Sequence, residues 1–246
     1  MNAYASLTWG PTMTEPLLSV SNLEGWYNES QALFGTSLNV HEGEVVTILG
    51  RNGMGKTTTL RAIVGILQRR RGEMRFDGHD LMNRPVHKVA KLGLGYVPEE
   101  RGIFASLSVT ENLMLPPKVA EGGMSLDVIY DLFPNLLERR TSMGNQLSGG
   151  EQQMLAIARV LRTGVRMILL DEPTEGLAPV IINRIGEVLK RLKESGMTVL
   201  LVEQNFRFAS KVSDRFYVMD HGAIADEFAA ADLPAKQSEL ARVLGV

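Results

Sequence analysis

The sequence has no cysteine among its 246 residues, and it carries almost no net charge. Without cysteine there is no disulfide framework, no thiolate metal site and no cysteine nucleophile, and such a composition is typical of a reducing compartment. Twenty-six basic residues against 28 acidic ones leave a formal charge of −2, which gives no electrostatic footprint for nucleic acid. The 44% of hydrophobic residues exclude a disordered chain and predict a folded core.

Long apolar runs are absent as well. No stretch approaches the roughly 18 consecutive apolar residues of a membrane span, so we do not expect the chain to cross a bilayer by itself. The uncharged segment from Met1 to Thr14 lacks the basic region and the continuous apolar region of a signal peptide. We therefore predict a short disordered leader over residues 1–13.

Four short apolar runs predict buried strands, each ending at chemically distinctive residues: Val45–Leu49, Gly95–Val97, Met167–Leu170 and Thr198–Val202. Because these runs are continuously apolar rather than alternating, they favour a mostly parallel sheet covered on both faces. Helical periodicity appears between them, at Leu60, Ile63, Val64 and Leu67 and again at Met154, Ile157, Ala158 and Leu161. The predicted fold class is therefore α/β.

Weaker patterns predict the rest of the organisation. Alternating runs near both ends of the chain predict additional edge strands, at Leu17–Val20, Phe216–Met219 and Gly222–Phe228. The pair Asp77-Gly78 predicts a hairpin or strand-end turn. We interpret the basic run Arg69–Arg71 as a solvated helix end.

One long segment has few strand signals. Residues of about 99–162 are predicted to form a helical subdomain inserted into the sheet domain. The core is then expected to comprise residues of about 14–98 and 163–246.

A glycine-rich segment lies between a predicted strand and a predicted helix. Gly50–Thr57 fits the pattern G-x-x-x-x-G-K-[ST], in which successive backbone N–H groups cradle phosphates at a helix N-terminus. Lys56 supplies a point charge for the β and γ phosphates, and the Thr57 hydroxyl can bind Mg²⁺. The sequence therefore predicts a triphosphate site.

Two carboxylates follow another predicted strand. Asp171 is placed to hold Mg²⁺ beside the phosphates, and Glu172 to polarise the attacking water. The alternative is that both are ordinary charges at the end of a strand, but the neighbouring phosphate loop makes that interpretation much weaker.

The segment Leu147–Gln153, LSGGEQQ, precedes an amphipathic helix. Ser148 and Glu151 have the spacing of a capping box, which explains these two residues structurally. It does not explain Gly149 and Gly150, which are unfavourable in a first helical turn unless the backbone must closely approach another group. A second anion site at this helix N-terminus is the sharper hypothesis.

Together, the phosphate loop, LSGGEQQ and ILLDEP, in that order, resemble the ATP-binding subunit of an ABC transporter over residues of about 15–246. The resemblance implies one ABC domain over 14–246, with a P-loop NTPase (RecA-like) core, an N-terminal antiparallel β subdomain and an α-helical subdomain. It implies ATP and Mg²⁺ as ligands, Glu172, Lys56 and Gln204 as catalytic residues, and Thr57, Glu99 and Asp171 at the metal. It also implies nucleotide contacts from Tyr27, Gly50, Asn52, Gly53, Gly55, Lys56, Thr57, Thr58, Ser148, Gly149 and Gly150.

The resemblance further implies the assembly. Two ATPase subunits pair head to tail, so that the signature residues of one close the nucleotide site of the other. The second subunit is expected to be a paralogue, with a homodimer as the alternative for the isolated chain. Two transmembrane permease subunits and, indirectly, a solute-binding protein complete the complex, which places the chain peripherally on the cytoplasmic face of the membrane, without nucleic acid.

Three positions depart from the commonest family pattern. Glu99 replaces a glutamine in the linking loop, which we define as Tyr96–Arg101. Ala178 replaces an aspartate, and Gln204 replaces the histidine of the family's switch position. The combination VPE, EGLAP and VEQN is similar to the smaller ATPase of branched-chain amino acid importers, with urea and short-amide importers close beside it. A soluble ABC-type ATPase and a binding-only cassette remain as alternatives, although Glu172, which the latter is expected to lack, is present.

Overall fold

The computed structural model describes residues 15–120, 122–236 and 240, and two sheets organise that part of the chain. The leader predicted for residues 1–13 lies outside the described residues. The strands are β1 (Leu18–Tyr27), β2 (Ser30–Val40), β3 (Val45–Leu49), β4 (Arg69–Phe76), β5 (His79–Asp80), β6 (Leu94–Val97), β7 (Met167–Asp171), β8 (Thr198–Glu203), β9 (Arg215–Asp220) and β10 (Ala223–Ala229).

The central sheet has the order β10-β9-β3-β8-β7-β6. Its strands run parallel except for β10, which pairs antiparallel with β9. Alternate residues of each inner strand enter different apolar clusters: Ile168 and Leu170 pack with the helical side, whereas Met167 and Leu169 pack toward the second sheet. Because both faces are covered, every position of β7 must be apolar up to Asp171. The predicted parallel sheet is confirmed.

The second sheet is antiparallel, with the order β2-β1-β4-β5. The sequence analysis identified only part of β1 and did not identify β2, whose burial pattern is irregular and whose pairing with β1 contains register shifts. The Asp77-Gly78 turn joins β4 to β5, as the sequence predicts. The predicted fold class, α/β with an additional antiparallel sheet, is confirmed.

The basic run Arg69–Arg71 is not a helix end, so that interpretation was wrong. The run opens β4 and pairs with Glu24, Gly25 and Trp26 of β1. The guanidinium carbons of Arg69 and Arg71 lie 5.5 and 5.7 Å from the centroid of the Trp26 ring, where the cation–π attraction is favourable. Arg70 instead donates to three backbone carbonyls.

The helices are α1 (Lys56–Ile63), α2 (Val86–Ala90), α3 (Val109–Met114), α4 (Leu126–Leu132), α5 (Pro134–Glu138), α6 (Gly149–Leu161), α7 (Pro179–Glu194) and α8 (Phe206–Ala209). Helices α3 to α6 all lie between β6 and β7, inside the stretch predicted as a helical subdomain. The sequence analysis did not identify α7, although Ile185, Val188, Leu189 and Leu192 have helical spacing and are buried. None of the helices in the described part of the chain is long and apolar enough to cross a membrane.

Arg215 joins the two sheets. On β9, it binds both carboxylate oxygens of Glu44 at 2.8 and 2.9 Å and donates to the carbonyl of Asn39 on β2 at 2.9 Å. The Arg215 and Glu44 side chains are only 15% and 16% exposed. Burial alone would raise the pKa of Glu44, but hydrogen bonds and charge from Arg215 outweigh burial and hold this pKa below its ordinary value of 4.5.

We predict that Glu44→Gln lowers the free energy of unfolding at pH 7 by on the order of 2 kcal/mol, because a largely buried guanidinium loses its bidentate partner. A carboxylate with a depressed pKa contributes stability above its unfolded pKa and loses it as the pH falls through the folded value. The difference between wild type and Glu44→Gln should therefore narrow below about pH 4.5. Urea unfolding of both proteins at several pH values from 7 to 3.5 measures this difference.

The control is Glu227→Gln, since Glu227 also pairs with Arg215 but its side chain is 49% exposed. That substitution should cost less than about 1 kcal/mol. Two outcomes would contradict the assignment of Glu44 as the main partner. One is an equal loss of unfolding free energy in the two variants, and the other is a difference between wild type and Glu44→Gln that does not change with pH.

Candidate functional site

The phosphate loop occupies the turn between β3 and α1. Gly53 has φ +81° and Gly55, which caps α1, has φ +103°, conformations that glycine adopts without strain. A Cβ added to Gly50 would lie 2.7 Å from the carbonyl oxygen of Met219. The loop therefore needs glycine for both conformation and space, as the phosphate-binding pattern predicts.

Lys56 and Glu172 form a buried ion pair at the base of the loop. The Lys56 Nζ lies 2.9 Å from Glu172 Oε1, and the two side chains are 3% and 6% exposed. Lys56 also donates to the carbonyl of Arg51 at 3.0 Å. Within the part of the chain that is described, the buried Glu172 Oε2 has no hydrogen-bond partner. A hydrogen bond with the Glu172 carboxyl group, together with burial, raises the pKa of Glu175, so a protonated Glu175, a water molecule or a ligand group can supply the donor for this acceptor.

Thr57 and Asp171 meet directly. The Thr57 hydroxyl donates to Asp171 Oδ1 at 2.8 Å, and the Tyr96 hydroxyl donates to Asp171 Oδ2 at 2.9 Å. Burial raises the pKa of Asp171, although the hydrogen bonds from Thr57 and Tyr96 oppose the shift. The sequence analysis did not single out Tyr96 as a site residue. Its position at the end of a predicted strand, before the linking loop, was the available signal.

Lys56, Thr57 and Glu172 open onto one cavity of about 540 Å³. The predicted site residues Asp171 and Gly50 are buried and do not line it, although Asp171 contacts the cavity wall through Thr57. Predicted site residues lining it are Asn52, Gly53, Gly55, Lys56, Thr57, Thr58, Glu99 and Glu172. Lining residues that the sequence analysis missed are Gln31, Ala32, Phe34, Glu175, His221 and Gly222. Nothing in the motifs indicated these residues. Contact between the two sheets brings the residues of β2 here, and the pairing of β9 with β3 brings the β9–β10 turn beside the phosphate loop.

No three His, Asp or Glu side chains among the described residues converge closely enough to hold a metal by themselves. This does not argue against Mg²⁺, which binds through one or two protein groups together with phosphate oxygens and water. A hydroxyl and a carboxylate in contact, as at Thr57 and Asp171, suit such a site.

The signature segment lies apart from this cavity, at the start of α6. The Ser148 hydroxyl accepts from the Glu151 N–H at 3.3 Å, and the Glu151 carboxylate accepts from the Ser148 N–H at 2.7 Å, so the capping box is present. A Cβ on Gly150 would lie 2.7 Å from Ile181 Cγ2, and one on Gly149 would lie 3.1 Å from the Arg101 guanidinium. Close packing within the chain therefore accounts for Gly150, while a second anion site stays a prediction.

Tyr27 and Gln204 are not among the residues that line the cavity. Tyr27 is 43% exposed at the end of β1. Gln204 is half-buried directly after β8. The nucleotide contacts predicted for these two residues stay predictions.

Ala178 caps α7 without a side-chain hydrogen bond, and Pro179 occupies the first turn of that helix. Proline there is favourable because its missing N–H would have no partner within the helix. The departure at Ala178 thus removes a capping side chain but leaves the helix start intact.

Residues 33–175 match the ABC transporter family, and the chain belongs to that family. It is 40% identical over 211 residues to BraG of Pseudomonas aeruginosa, a high-affinity branched-chain amino acid transport ATP-binding protein, covering 85% of this chain and 91% of BraG. It is 37% identical to LptB of Escherichia coli K12, the ATP-binding protein of a lipopolysaccharide export system, covering 83% and 87%. A probable branched-chain amino acid transport protein, LivF of Archaeoglobus fulgidus, is 34% identical, covering 88% and 94%.

Solved structures give the same class. An ABC transporter ATP-binding cassette in its ADP conformation superposes with a TM-score of 0.76 at 25% identity, covering 92% of this chain and 98% of that one. A dimeric cassette in a post-hydrolysis state, bound to ADP and phosphate, has a TM-score of 0.73 at 27% identity, covering 87% and 98%. The predicted family and the predicted enzyme class, an ABC-type ATPase, are confirmed.

Substitutions at the two signature glycines separate packing from ligand binding. We predict that Gly150→Ala lowers the free energy of unfolding by about 1–3 kcal/mol through the contact with Ile181. Gly149→Ala should leave stability unchanged or raise it by up to about 1 kcal/mol, because its Cβ meets only a flexible guanidinium and alanine favours the helix. If Gly149 faces a nucleotide, ATP hydrolysis by Gly149→Ala should still fall.

Thermal unfolding and phosphate release, measured on the same preparations, test both statements. A Gly149→Ala protein that hydrolyses ATP at the wild-type rate would show that Gly149 has no part in a second anion site.

Proposed function

We propose that this chain is the ATP-binding and ATP-hydrolysing subunit of an ABC importer, powering uptake of branched-chain amino acids through separate membrane subunits. The observation that carries the catalytic proposal is that Lys56, Thr57 and Glu172 line one cavity, while the buried Asp171 binds the Thr57 hydroxyl at its wall. The similarity to BraG and LivF supports the solute class.

The loop from Gly50 to Thr58 binds the triphosphate in this proposal. Backbone N–H groups of the loop and the N-terminus of α1 face the phosphates, and Lys56 exchanges part of its contact with Glu172 for the β and γ oxygens. Thr57, Asp171 and Glu99 hold Mg²⁺, which when bound neutralises charge developing on the phosphates. Asn52, Gly53 and Gly55 shape the loop around the substrate.

Glu172 is the general base. Its free Oε2 can accept a hydrogen bond from water while Oε1 stays oriented by Lys56, so that the carboxylate lies ready to take a proton. Gln204 contributes a neutral amide hydrogen bond near the γ-phosphate, and Tyr27 stacks on the adenine. Neutral glutamine cannot carry a proton near pH 7, so proton transfer rests on Glu172 or on the phosphate.

The partners follow from the same assignment. A second ATPase subunit, paired head to tail, brings its own signature residues to this cavity, while Ser148, Gly149 and Gly150 serve the partner's nucleotide. An apolar groove of about 420 Å³ between the core and the helical segment, with Ile66 and Val86 exposed in it, borders Pro98 of the linking loop. A permease element docked there would contact the loop that carries Glu99. The proposed assembly includes a peripheral position of the chain on the cytoplasmic face of the membrane.

The similarity to LptB favours a second candidate, an ATP-binding subunit that powers lipopolysaccharide export. Two further alternatives are the ATPase of a urea or short-amide importer and a soluble ABC-type ATPase that is not engaged in transport. Identification of the membrane chains that co-purify with this subunit separates the exporter from the importers, since importer permeases support our proposal and lipopolysaccharide-export subunits contradict it. The solute bound by the co-purified binding protein then separates branched-chain amino acids, which support the proposal, from urea or short amides, which contradict it.

We predict that Glu172→Gln abolishes at least about 90% of ATP hydrolysis while ATP binding persists, because the amide keeps the size of the side chain but cannot accept a proton. The variant should accumulate as a nucleotide-bound dimer that elutes earlier than the nucleotide-free protein. Phosphate release and size-exclusion chromatography measure the two effects, with both ATPase subunits present. Leucine uptake by membrane vesicles carrying the complex should fall in parallel.

Two outcomes would contradict this assignment. An unchanged rate of phosphate release would place the base elsewhere, and intact leucine uptake with abolished hydrolysis would separate the chain from that transport.

For Gln204 we predict that Gln204→His keeps kcat within about tenfold of wild type, whereas Gln204→Ala loses more, because a donor near developing charge is removed. The rates should be compared from pH 6 to pH 9 in the assembled complex. Wild-type activity of Gln204→Ala would leave Gln204 without a catalytic part.

A further inference from the structure

Glu203 is a buried carboxyl group that the proposed mechanism does not use. It is the last residue of β8, next to Gln204, and is only 1% exposed. Burial is the main cause that raises its pKa, to about 7, and repulsion from the charge of Glu172 adds to the shift. A carboxyl group at this depth is costly, and a strand end could be completed by an apolar residue.

The two oxygens of Glu203 bind two different segments. Oε1 accepts from the Thr174 hydroxyl at 2.8 Å and from the Thr174 N–H at 3.3 Å. Oε2 accepts from the Asn205 N–H at 3.1 Å. All three partners are donors, which suits a carboxylate, since it only accepts, better than an amide, which would have to turn an N–H₂ toward a donor.

Both segments carry proposed catalytic residues. Thr174 lies two residues after Glu172, and Asn205 directly follows Gln204 and caps α8 through its side chain. Glu172 itself has φ +44°, an unfavourable conformation for a residue with a side chain, which persists only where the surroundings hold it. Its N–H donates to the carbonyl of Val202, the neighbour of Glu203.

We propose that Glu203 is a positioning residue. It holds the loop that carries Glu172 and Thr174 at a fixed position relative to the segment Gln204-Asn205. In this role Glu203 does not touch the nucleotide. It acts by fixing the position of the Glu172 carboxylate relative to the Gln204 side-chain amide. The inference rests on the proposed role of Glu172 and adds a residue through which the two segments are joined. Displacement of a base by about 1 Å can cost on the order of a hundredfold in rate, so one buried carboxylate can have a large effect on kcat.

The test compares variants of Glu203 and Thr174 in the full chain, by steady-state phosphate release over a range of Mg-ATP concentrations. Glu203→Gln should lower kcat at least about tenfold while KM for ATP changes less than about threefold, because the phosphate loop is untouched. Thr174→Val, which removes the hydroxyl, should lower kcat in the same way, and Thr174→Ser should restore it. The double variant should be no slower than the slower single variant, since both remove one link.

Thr198→Val is the matched control. Thr198 is also buried, and its hydroxyl accepts from the Gly43 N–H at 2.9 Å, but it begins β8, at the opposite end of the strand from Glu203. Its kcat should equal that of the wild type. Thermal unfolding of each variant identifies any that fail to fold, and if Glu203→Gln does, the Thr174→Val and Thr174→Ser pair decides.

A Glu203→Gln or Thr174→Val protein that is folded and keeps the wild-type kcat would overturn the inference while leaving the proposed function intact. So would a fall in activity expressed only as a higher KM. A wild-type chain without ATPase activity, or one whose Glu172→Gln variant is fully active, would instead overturn the proposed function, and the inference with it.

Discussion

The arrangement of the site depends on one buried ion pair, that between Lys56 and Glu172. The lysine begins α1 after the phosphate loop, and the glutamate follows β7, so the pair joins two segments more than a hundred residues apart in the chain. Removing either partner would leave a charge in a poorly solvated place, which is far more costly than losing a surface pair. Each residue thus fixes the other, and their common cavity is the place where an anionic substrate can replace part of the contact.

The parallel sheet makes this pairing geometrically available. The strands β3, β7 and β8 lie side by side and point the same way, so their carboxyl ends deliver the phosphate loop, Asp171-Glu172 and Glu203-Gln204 to one edge. Their interiors are apolar on both faces and permit no charge until the strand ends. Charged groups are thereby concentrated where the sheet stops. Burial is the main cause that raises the pKa of Glu203 there, and the charge of Glu172 at the end of the neighbouring strand adds to the shift.

The start of the signature helix α6 is fixed by local capping and packing rather than by the sheet. Its capping box and the packing of Gly150 on Ile181 make the start of α6 a rigid structure within this chain. Arg101, which ends the linking loop and has φ +67°, donates to Gln152 at 3.0 Å and covers Gly149. The loop that carries Glu99, a proposed Mg²⁺ ligand, is therefore in direct contact with the segment proposed to serve the partner's nucleotide.

The sequence by itself determined the phosphate loop, the strands β3, β6, β7 and β8, the capping box at Ser148 and the family, because each is encoded by local pattern: apolar runs, glycine spacing and capping chemistry. Only the tertiary structure decided that Tyr96 binds Asp171, that Phe34 and His221 line the cavity, and that Glu203 joins Thr174 to Asn205. The tertiary structure also placed Arg69–Arg71 in a strand. The Trp26 ring that Arg69 and Arg71 contact lies on the paired strand β1, and the local sequence around the arginines does not indicate that pairing. Contacts between segments distant in sequence depend on sheet order and register, and those are set by packing of the whole chain.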